Sequence, residues 1–310
     1  MYSCANSSAA PRSARPRIFA LGAALILAAL PALSATKAPL PPMTLPTASD
    51  RVLVIAPHPD DETLCCAGYL QLAVRNGASV AVVWITAGDS FEIDAMLTER
   101  TLRPRSAGLE QLGLRRIAEG HAAADLLGVP RANQFLLGFP DRDIAALLQH
   151  PEAPALRSRY TGASAVPYID AVRTGDPYTG AALRASLKEI IDRFRPTIVL
   201  APSLLDRHPD HSSSGALALE LLAARRPATR VYFWIVHAGL NWPAPHGLHR
   251  NRPLSPPRRA AALAWQQMPL DAALQAGKLS ALRAHHTQME VMSHFLNAFV
   301  RTNEIYAPAP

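Results

Sequence analysis

Residues Arg51–Glu62 read RVLVIAPHPDDE. Val52–Ala56 is a continuous apolar run that stops at Pro57, the pattern of a strand buried on both faces of a parallel sheet. Directly behind it stand one imidazole, His58, and three carboxylates, Asp60, Asp61 and Glu62. A second stretch far down the chain, Pro202–His211, reads PSLLDRHPDH. It follows the apolar Ile198–Leu200, repeats His-Pro-Asp at His208–Asp210, and adds a further His at 211. The two stretches make the rest of the chain a scaffold for bringing them together around one metal ion.

Working outward, strands and helices alternate. Helical spacing over Glu62–Asn76 (Leu64, Ala67, Leu70, Leu72, Val74) stops at Gly77. Strand runs are expected at Ser79–Thr86, Asn133–Leu137, Thr197–Ala201 and Arg230–Val236. Helices are expected at Leu109–Leu127, Ala181–Phe194 and Ser214–Ala224, and one or two amphipathic helices over Leu270–Phe299. The inner face of the last segment reads Leu274, Leu282, Met289, Met292, Phe295 and Phe299. Residues 90–107 are polar and irregular. Residues 142–178 have no clean period and read as an insertion over one edge of the fold. Residues 239–258, with Trp242, His246 and His249, read as a long loop. The pattern predicts an α/β fold, a Rossmann-like three-layer sandwich with a mostly parallel central sheet. If the strands carrying the two stretches are neighbours, both stretches lie at carboxyl ends of strands beside a topological switch point.

The chain has 310 residues, of which 49% are hydrophobic and 18% charged, enough for a substantial core. Residues 1–35 read as an export signal: Arg12, Arg15 and Arg17 precede the apolar Ile18–Leu30, and Ala32-Leu33-Ser34 suits cleavage. The alternative is an uncleaved anchor; otherwise the mature form has no membrane span. The expected location is therefore periplasmic or secreted, with membrane anchoring if the segment is retained. Removing that segment lowers the formal charge from +7 to +4. With no clustered Lys/Arg stripe, this gives no basis for a nucleic-acid partner. Residues 36–48 are Pro-rich and read as a tether, and 49–310 as one domain. Cys65 and Cys66 are adjacent, offer no disulfide framework, and read as small buried hydrophobes.

The chemistry follows from residue type and spacing. Pro59 keeps His58 extended and suits the first turn of a helix. His58 and Asp61 can then face one point across a tight bend, with Asp60 close by. His208, Asp210 and His211 offer the same geometry, and spacing alone does not choose between the two histidines as ligand. Three N and O ligands with an open position describe a catalytic zinc site. Zinc lowers the pKa of a water and polarises a carbonyl; a neighbouring carboxylate can take the proton. A His beside an Asp can return one to a departing amine. One His-Pro-Asp alone is commonly a capped helix start; two copies with clustered carboxylates call for a cation. No Gly-x-Gly-x-x-Gly follows the first strand, so a dinucleotide site is not indicated.

Pro57–Glu62 and His208–His211 resemble the two signature motifs of the PIG-L/LmbE-like family of zinc-dependent N-acetylsugar deacetylases. Arg116-x-x-Glu119 with Ala123 and Leu127-Gly128, Phe135–Asp141, and Ala284-His285-His286-Thr287-Gln288 are also similar to that family. The resemblance implies His58, Asp61 and His211 as metal ligands and Asp60 as general base. It implies His208 as general acid or oxyanion stabiliser, held by Asp210, and Arg116 and Asp141 as substrate-contacting positions. His285 reads rather as a helix-face His near the core, and Trp242 as a residue able to stack on a sugar ring. The implied activity is removal of the N-acetyl group from an N-acetylglucosaminyl-type sugar or glycoconjugate, giving acetate and free amine. Zn2+ is the implied metal, with Fe2+ or Co2+ able to use the same ligands. The alternatives are a non-catalytic, metal-containing glycan-binding protein and an amidohydrolase of non-sugar amides. An export signal favours a cell-envelope or extracellular glycan over an intracellular metabolite.

Overall fold

In the computed structural model, which describes residues 39–90, 106–225 and 228–310, the quoted stretch forms the centre of the sheet. Strand β1, Arg51–Ala56, alternates its side chains: Val52, Val54 and Ala56 enter one hydrophobic layer, Leu53 and Ile55 the other. That period of two, with both faces covered, is why the run carries no polar residue. The remaining strands are β2 (Ser79–Thr86), β3 (Gln134–Phe139), β4 (Ile198–Pro202), β5 (Arg230–Trp234), β6 (Gln266–Pro269) and β7 (Asn303–Pro308). Their order across the sheet is β3-β2-β1-β4-β5-β7-β6. The first five pair in parallel, and β7 is antiparallel to both β5 and β6.

The helices are α1 (Asp61–Arg75), α2 (Ser106–Leu126), α3 (Ile144–Gln149), α4 (Gly180–Phe194), α5 (Pro209–Leu222), α6 (Ala272–Ala284) and α7 (His286–Asn297). Leu64, Leu70, Ile117, Leu274, Leu282 and Leu296, from α1, α2, α6 and α7, share the layer of Val52 and Val54. Leu183, Leu187, Ile190, Leu217 and Leu222, from α4 and α5, share the layer of Leu53 and Ile55. Each buried aliphatic side chain of this kind is worth about 1.5–3 kcal/mol relative to exposure.

β1 and β4 are neighbours, with Val52 opposite Ile198 and Val54 opposite Leu200. The chain leaves β1 through α1 toward β2 on one side, and leaves β4 through α5 toward β5 on the other. This is the switch point expected from the sequence, with a crevice at the carboxyl ends of both strands. Gly215 lets α5 sit close over β4: a Cβ there would lie 2.1 Å from the Pro202 carbonyl oxygen.

Several expectations are corrected. Helix α5 begins at Pro209, not Ser214, because Pro stands at N1 and the His208 ring Nδ1 caps the Asp210 N–H at 3.3 Å. The sheet gains the antiparallel edge β7-β6, which short, Pro-containing segments did not announce. Pro42 bridges to Gln267 and Met43 is buried, so residues 41–43 lie along β6 and are not a free tether. Cys65 and Cys66 are bonded to each other, in place of the two free thiols expected. The 142–178 segment does cover an edge: Ala171 bridges to Leu136 on the outer strand β3. The proposed signal segment 1–35 and most of the polar stretch 90–107 lie outside the described residues.

Burial by that covering segment has an energetic signature. Asp89, at the end of β2, is 1% exposed and accepts a 2.5 Å hydrogen bond from the Tyr168 hydroxyl. Burial, with the charge of Asp141, pushes its carboxyl up to about 7. A folded-state value above the ordinary 3.8 means the native protein holds the proton more tightly than the unfolded chain. Its contribution to stability is therefore complete below pH ~4 and declines as pH rises to ~7. Asp89→Asn should remove that decline, by up to roughly 4 kcal/mol at about 1.36 kcal/mol per unit. The check is urea unfolding of both proteins at several pH values: the variant's advantage should grow between about pH 4 and 7 and level off above that.

Candidate active site

The turn after β1 is built by its own carboxylates. The His58 N–H donates to Asp61 Oδ2 at 2.9 Å. Asp60 then takes φ 143°, ψ −29°. A non-glycine residue there costs on the order of 1–3 kcal/mol and persists only when its surroundings enforce it. Two partners do so. The Asp60 N–H donates to Glu62 Oε2 at 3.1 Å, and Arg116, from α2, donates to the Pro59 carbonyl at 3.0 Å and to Asp60 Oδ2 at 3.3 Å. Arg116 also donates to the Gly88 carbonyl at 2.7 Å. Gly88 is needed there: its φ is +66°, and a Cβ would lie 2.2 Å from Arg116 Nη1. Glu62 is held by Trp84 Nε1 (2.9 Å), by the Thr63 hydroxyl (2.7 Å) and, at 3.2 Å, by His285.

Helix α5 brings His211 to the same point. His58 Nδ1, Asp61 Oδ2 and His211 Nε2 form a triangle with edges of 3.2, 3.3 and 3.3 Å. A tetrahedral ion with N and O ligands at ~2.0–2.1 Å requires edges of about 3.3–3.4 Å. The three donors therefore fit such a cation. A second group of metal-ligand type among the described residues, His58, His208 and Asp210, uses the opposite nitrogen of His58, which lies 3.4 Å from Asp210 Oδ2. The opposite nitrogens of both imidazoles face carboxylates. His58 Nε2 lies 3.1 Å from Asp141 Oδ1 and 3.4 Å from Asp210 Oδ2, and His211 Nδ1 lies 3.3 Å from Asp206 Oδ2. Protonation on those sides leaves Nδ1 of His58 and Nε2 of His211 as free donors, the tautomers a cation needs.

The field of the site is negative. Burial disfavours charge on His211, yet Asp61 and Asp206 raise its pKa to about 10. His58 is likewise raised: burial opposes its charge, but Asp141, Asp210 and Asp61 together outweigh it. Asp61 is held well below its ordinary range by His211 and His58 despite burial. Burial pushes Asp60 up to about 6 against the pull of Arg116, with Asp61 adding to the rise. The buried carboxylates thus favour positive charge at the point where the triangle would receive a cation.

Above the triangle lies a cavity of about 150 Å3 lined by His58, Asp60, Asp61, Arg116, Asp141 and His208, and closed by Met292, Phe295 and Leu296 of α7. Every one of the eight residues expected from the sequence is at or beside this cavity, but three have other contacts than expected. Asp141 is occupied by His58 Nε2 and the Ser90 N–H. Arg116 is occupied by Asp60 and two carbonyls. The Asp210 carboxylate does not hold His208: it accepts from the N–H groups of Arg142 (2.7 Å) and Ile144 (3.2 Å), tying the loop after β3 to α5. Its own N–H is what meets His208.

Sequence reasoning passed over four contributors. Asp206 orients His211 and accepts from the N–H groups of His208, Val236 and His237; its only signal was its place two residues before His208. His237 lines the cavity and stacks on Phe295, ring centroids 6.0 Å apart. Met292 and Phe295, at the spacing of a core face, pack on the core and also form a wall of the cavity. Trp242 packs on Phe299 and donates to the Ser255 carbonyl, so Phe295 is the aromatic wall in its place. His285 is fully buried against Glu62 and Thr63, and Glu119 accepts from Thr287, so the Arg116–Glu119 and Ala284–Gln288 motifs meet behind the base.

Residues 53–222 match the family model described as PIG-L: GlcNAc-PI de-N-acetylase. A 1D-myo-inositol 2-acetamido-2-deoxy-alpha-D-glucopyranoside deacetylase of Nakamurella multipartita is 30% identical over 294 residues, covering 84% of this chain and 86% of that protein. Among solved structures, the N,N'-diacetylchitobiose deacetylase of Pyrococcus horikoshii aligns with a TM-score of 0.52 and 20% identity, over 84% of this chain and 85% of that one. The zinc-inhibited form of a teicoplanin deacetylase aligns with a TM-score of 0.54 and 20% identity, over 83% and 97%. The two structures share the fold; the sequence matches carry the kinship. The chain belongs to the PIG-L family of de-N-acetylases.

Proposed function

We propose that the protein is a metal-dependent hydrolase that removes the N-acetyl group of an N-acetylglucosaminyl-type sugar. The observation that carries this is the triangle of His58, Asp61 and His211 with the strained Asp60 carboxylate beside it. Those three residues would hold the metal, for which Zn2+ suits two imidazoles and a carboxylate, with Fe2+ or Co2+ as alternatives. When bound, the metal acidifies water and polarises the amide carbonyl.

The residues divide the remaining work. Asp60 takes a proton from the attacking water as its oxygen bonds to the acetyl carbon. His208 Nδ1 accepts from the Asp210 N–H, which leaves Nε2 as the protonated nitrogen. That N–H can donate to the developing oxyanion. Asp60 then returns the proton to the amide nitrogen as the C–N bond breaks, giving acetate and amine. Arg116 keeps the base in place, and Asp141 and Asp206 keep the two ligand imidazoles in the required tautomers.

Purified protein should release acetate and free amine stoichiometrically from N-acetylglucosaminides. A chelator should stop the release and Zn2+ or Co2+ restore it. No acetate from any N-acetylated glycoside by metal-loaded protein would defeat the proposal. We further propose that residues 1–35 direct export, so that the substrate is an envelope or extracellular glycan. The basic n-region and the apolar Ile18–Leu30 support this, and among the described residues no helix is long and apolar enough to cross a membrane. N-terminal sequencing of protein from cell fractions tests it: intact residues 1–35 on cytoplasmic protein would refute export.

A further inference from the structure

Beside the cavity of the metal triangle lies a second, of about 360 Å3, lined by Arg142, Arg159, Arg207, His208, Pro209 and His237. Arg142, His208 and His237 line both, so the two adjoin along these side chains. The second is within the size range of small-ligand sites. Its character is opposite to that of the first: three guanidinium groups against the five carboxylates around the imidazoles.

Arg142 stands at the start of the covering segment, just after β3, Arg159 lies further along that segment, and Arg207 lies in the turn before α5. Arg142 and Arg159 both lie over the ring of Tyr160, with Cζ 6.0 and 4.8 Å from its centroid. Arg142 Nε donates to Ser90 Oγ, which orients that guanidinium without neutralising it. Among the described residues none of the three has a carboxylate within 4.0 Å. Asp143 is the acidic group whose charge Arg159 feels, and it forms no ion pair with it. Arg173, Arg184, Arg225 and Arg230 pair with Glu189, Glu220, Asp192 and Asp50, while single arginines such as Arg115, Arg195 and Arg259 stand unpaired among the described residues; what sets this cavity apart is that three unpaired guanidinium groups line it together. Three like charges gathered at one mouth repel each other. A planar guanidinium matches phosphate and carboxylate oxygens two at a time.

We propose that this cavity is a subsite for an anionic group, phosphate or carboxylate, carried by the substrate next to its N-acetylamino sugar. The inference rests on the deacetylase reading for the placement of the sugar over the triangle. It then names the substrate class: a negatively charged glycoconjugate, whose anion docks on Arg142, Arg159 and Arg207 while the acetamido group faces Asp60. Such a cationic mouth also raises the local concentration of anionic substrate, an effect that weakens with salt.

The test is calorimetric binding of three probes to the metal-loaded protein: N-acetylglucosamine 1-phosphate, an N-acetylglucosaminyl glucuronide, and the neutral methyl N-acetylglucosaminide. At least one anionic probe should bind ten-fold or more tightly than the neutral one at low ionic strength. Arg159→Gln with Arg207→Gln should cut that preference about ten-fold, as should 0.5 M salt. Which anion is preferred distinguishes phosphate from carboxylate as its source. Equal affinities for all three probes would overturn the proposal. So would a preference that the double variant leaves undiminished, since the two arginines would then take no part in it. Acetate release from the neutral glycoside is measured separately. Its absence with the binding preference intact would count against the deacetylase reading alone, and its presence without any preference against the subsite alone.

Discussion

Asp60→Asn should keep its metal and lose about 10²–10⁴-fold in kcat, the usual contribution of a positioned acid–base group. The amide replacement retains the shape, and the backbone N–H still donates to Glu62. His58, Asp61 and His211 are untouched, so metal content by elemental analysis should match the wild type. What disappears is the acceptor for the water's proton. The strained backbone at Asp60 is informative here. A φ of 143° is enforced from two sides, by Glu62 and Arg116, and a purely structural helix start would not need it. The KM should change far less than kcat, because the missing interaction is one made in the transition state. Full turnover in the variant would remove Asp60 from the mechanism, and a loss of metal would reassign it to the ligand set.

Lys278→Ala should destabilise the fold by about 3–5 kcal/mol, a large share of the 5–15 kcal/mol available to a typical domain. Lys278, on α6, is fully buried. Its Nζ donates to Glu304 Oε1 at 2.7 Å and to the Leu64 carbonyl at 2.8 Å. Glu304, on β7, also accepts from the N–H groups of Gly68 and Tyr69 within α1. Removing the ammonium leaves a buried carboxylate with no counter-charge. Burial alone pushes the Lys278 pKa down, and Glu304 supports the charged form in opposition. The exposed Lys188–Asp192 pair, of nearly the same length at 2.6 Å, supplies the control: Lys188→Ala should cost under ~1 kcal/mol. Urea unfolding of both variants decides. Comparable small losses would show that the buried pair is not a structural tie between α1 and the final strand.

Much of this architecture was legible in the chain itself. Val52–Ala56 announced a doubly buried strand because both its faces are covered, and the repeated His-Pro-Asp placed two strand ends at one crevice. The residues that were not legible are those whose role depends on three-dimensional neighbours. Met292 and Phe295 sit at the helical spacing of a core face; α7 departs from helical geometry at Met292 and turns them toward the cavity. Asp206 and His237 lie next to informative residues but carry no pattern of their own. Strands β6 and β7 are short, and each contains Pro. Asp210 repeats the position of Asp60 in its own His-Pro-Asp, yet the loop after β3 offers two N–H groups that claim its carboxylate, so equal spelling led to unequal contacts.

The donors at positions 58 and 211 stand 153 residues apart in sequence while their nitrogens are 3.3 Å apart in space. A cation gripping both would close a loop of 153 residues, so the ordering cost already met by folding would be returned as affinity. The ion would then act as a rivet between the β1-α1 and β4-α5 halves. Amide exchange at His58, Asp60 and Asp61 and at Asp210, His211 and Ser212 should slow together as metal is titrated in, two distant stretches of backbone responding as a single cooperative unit.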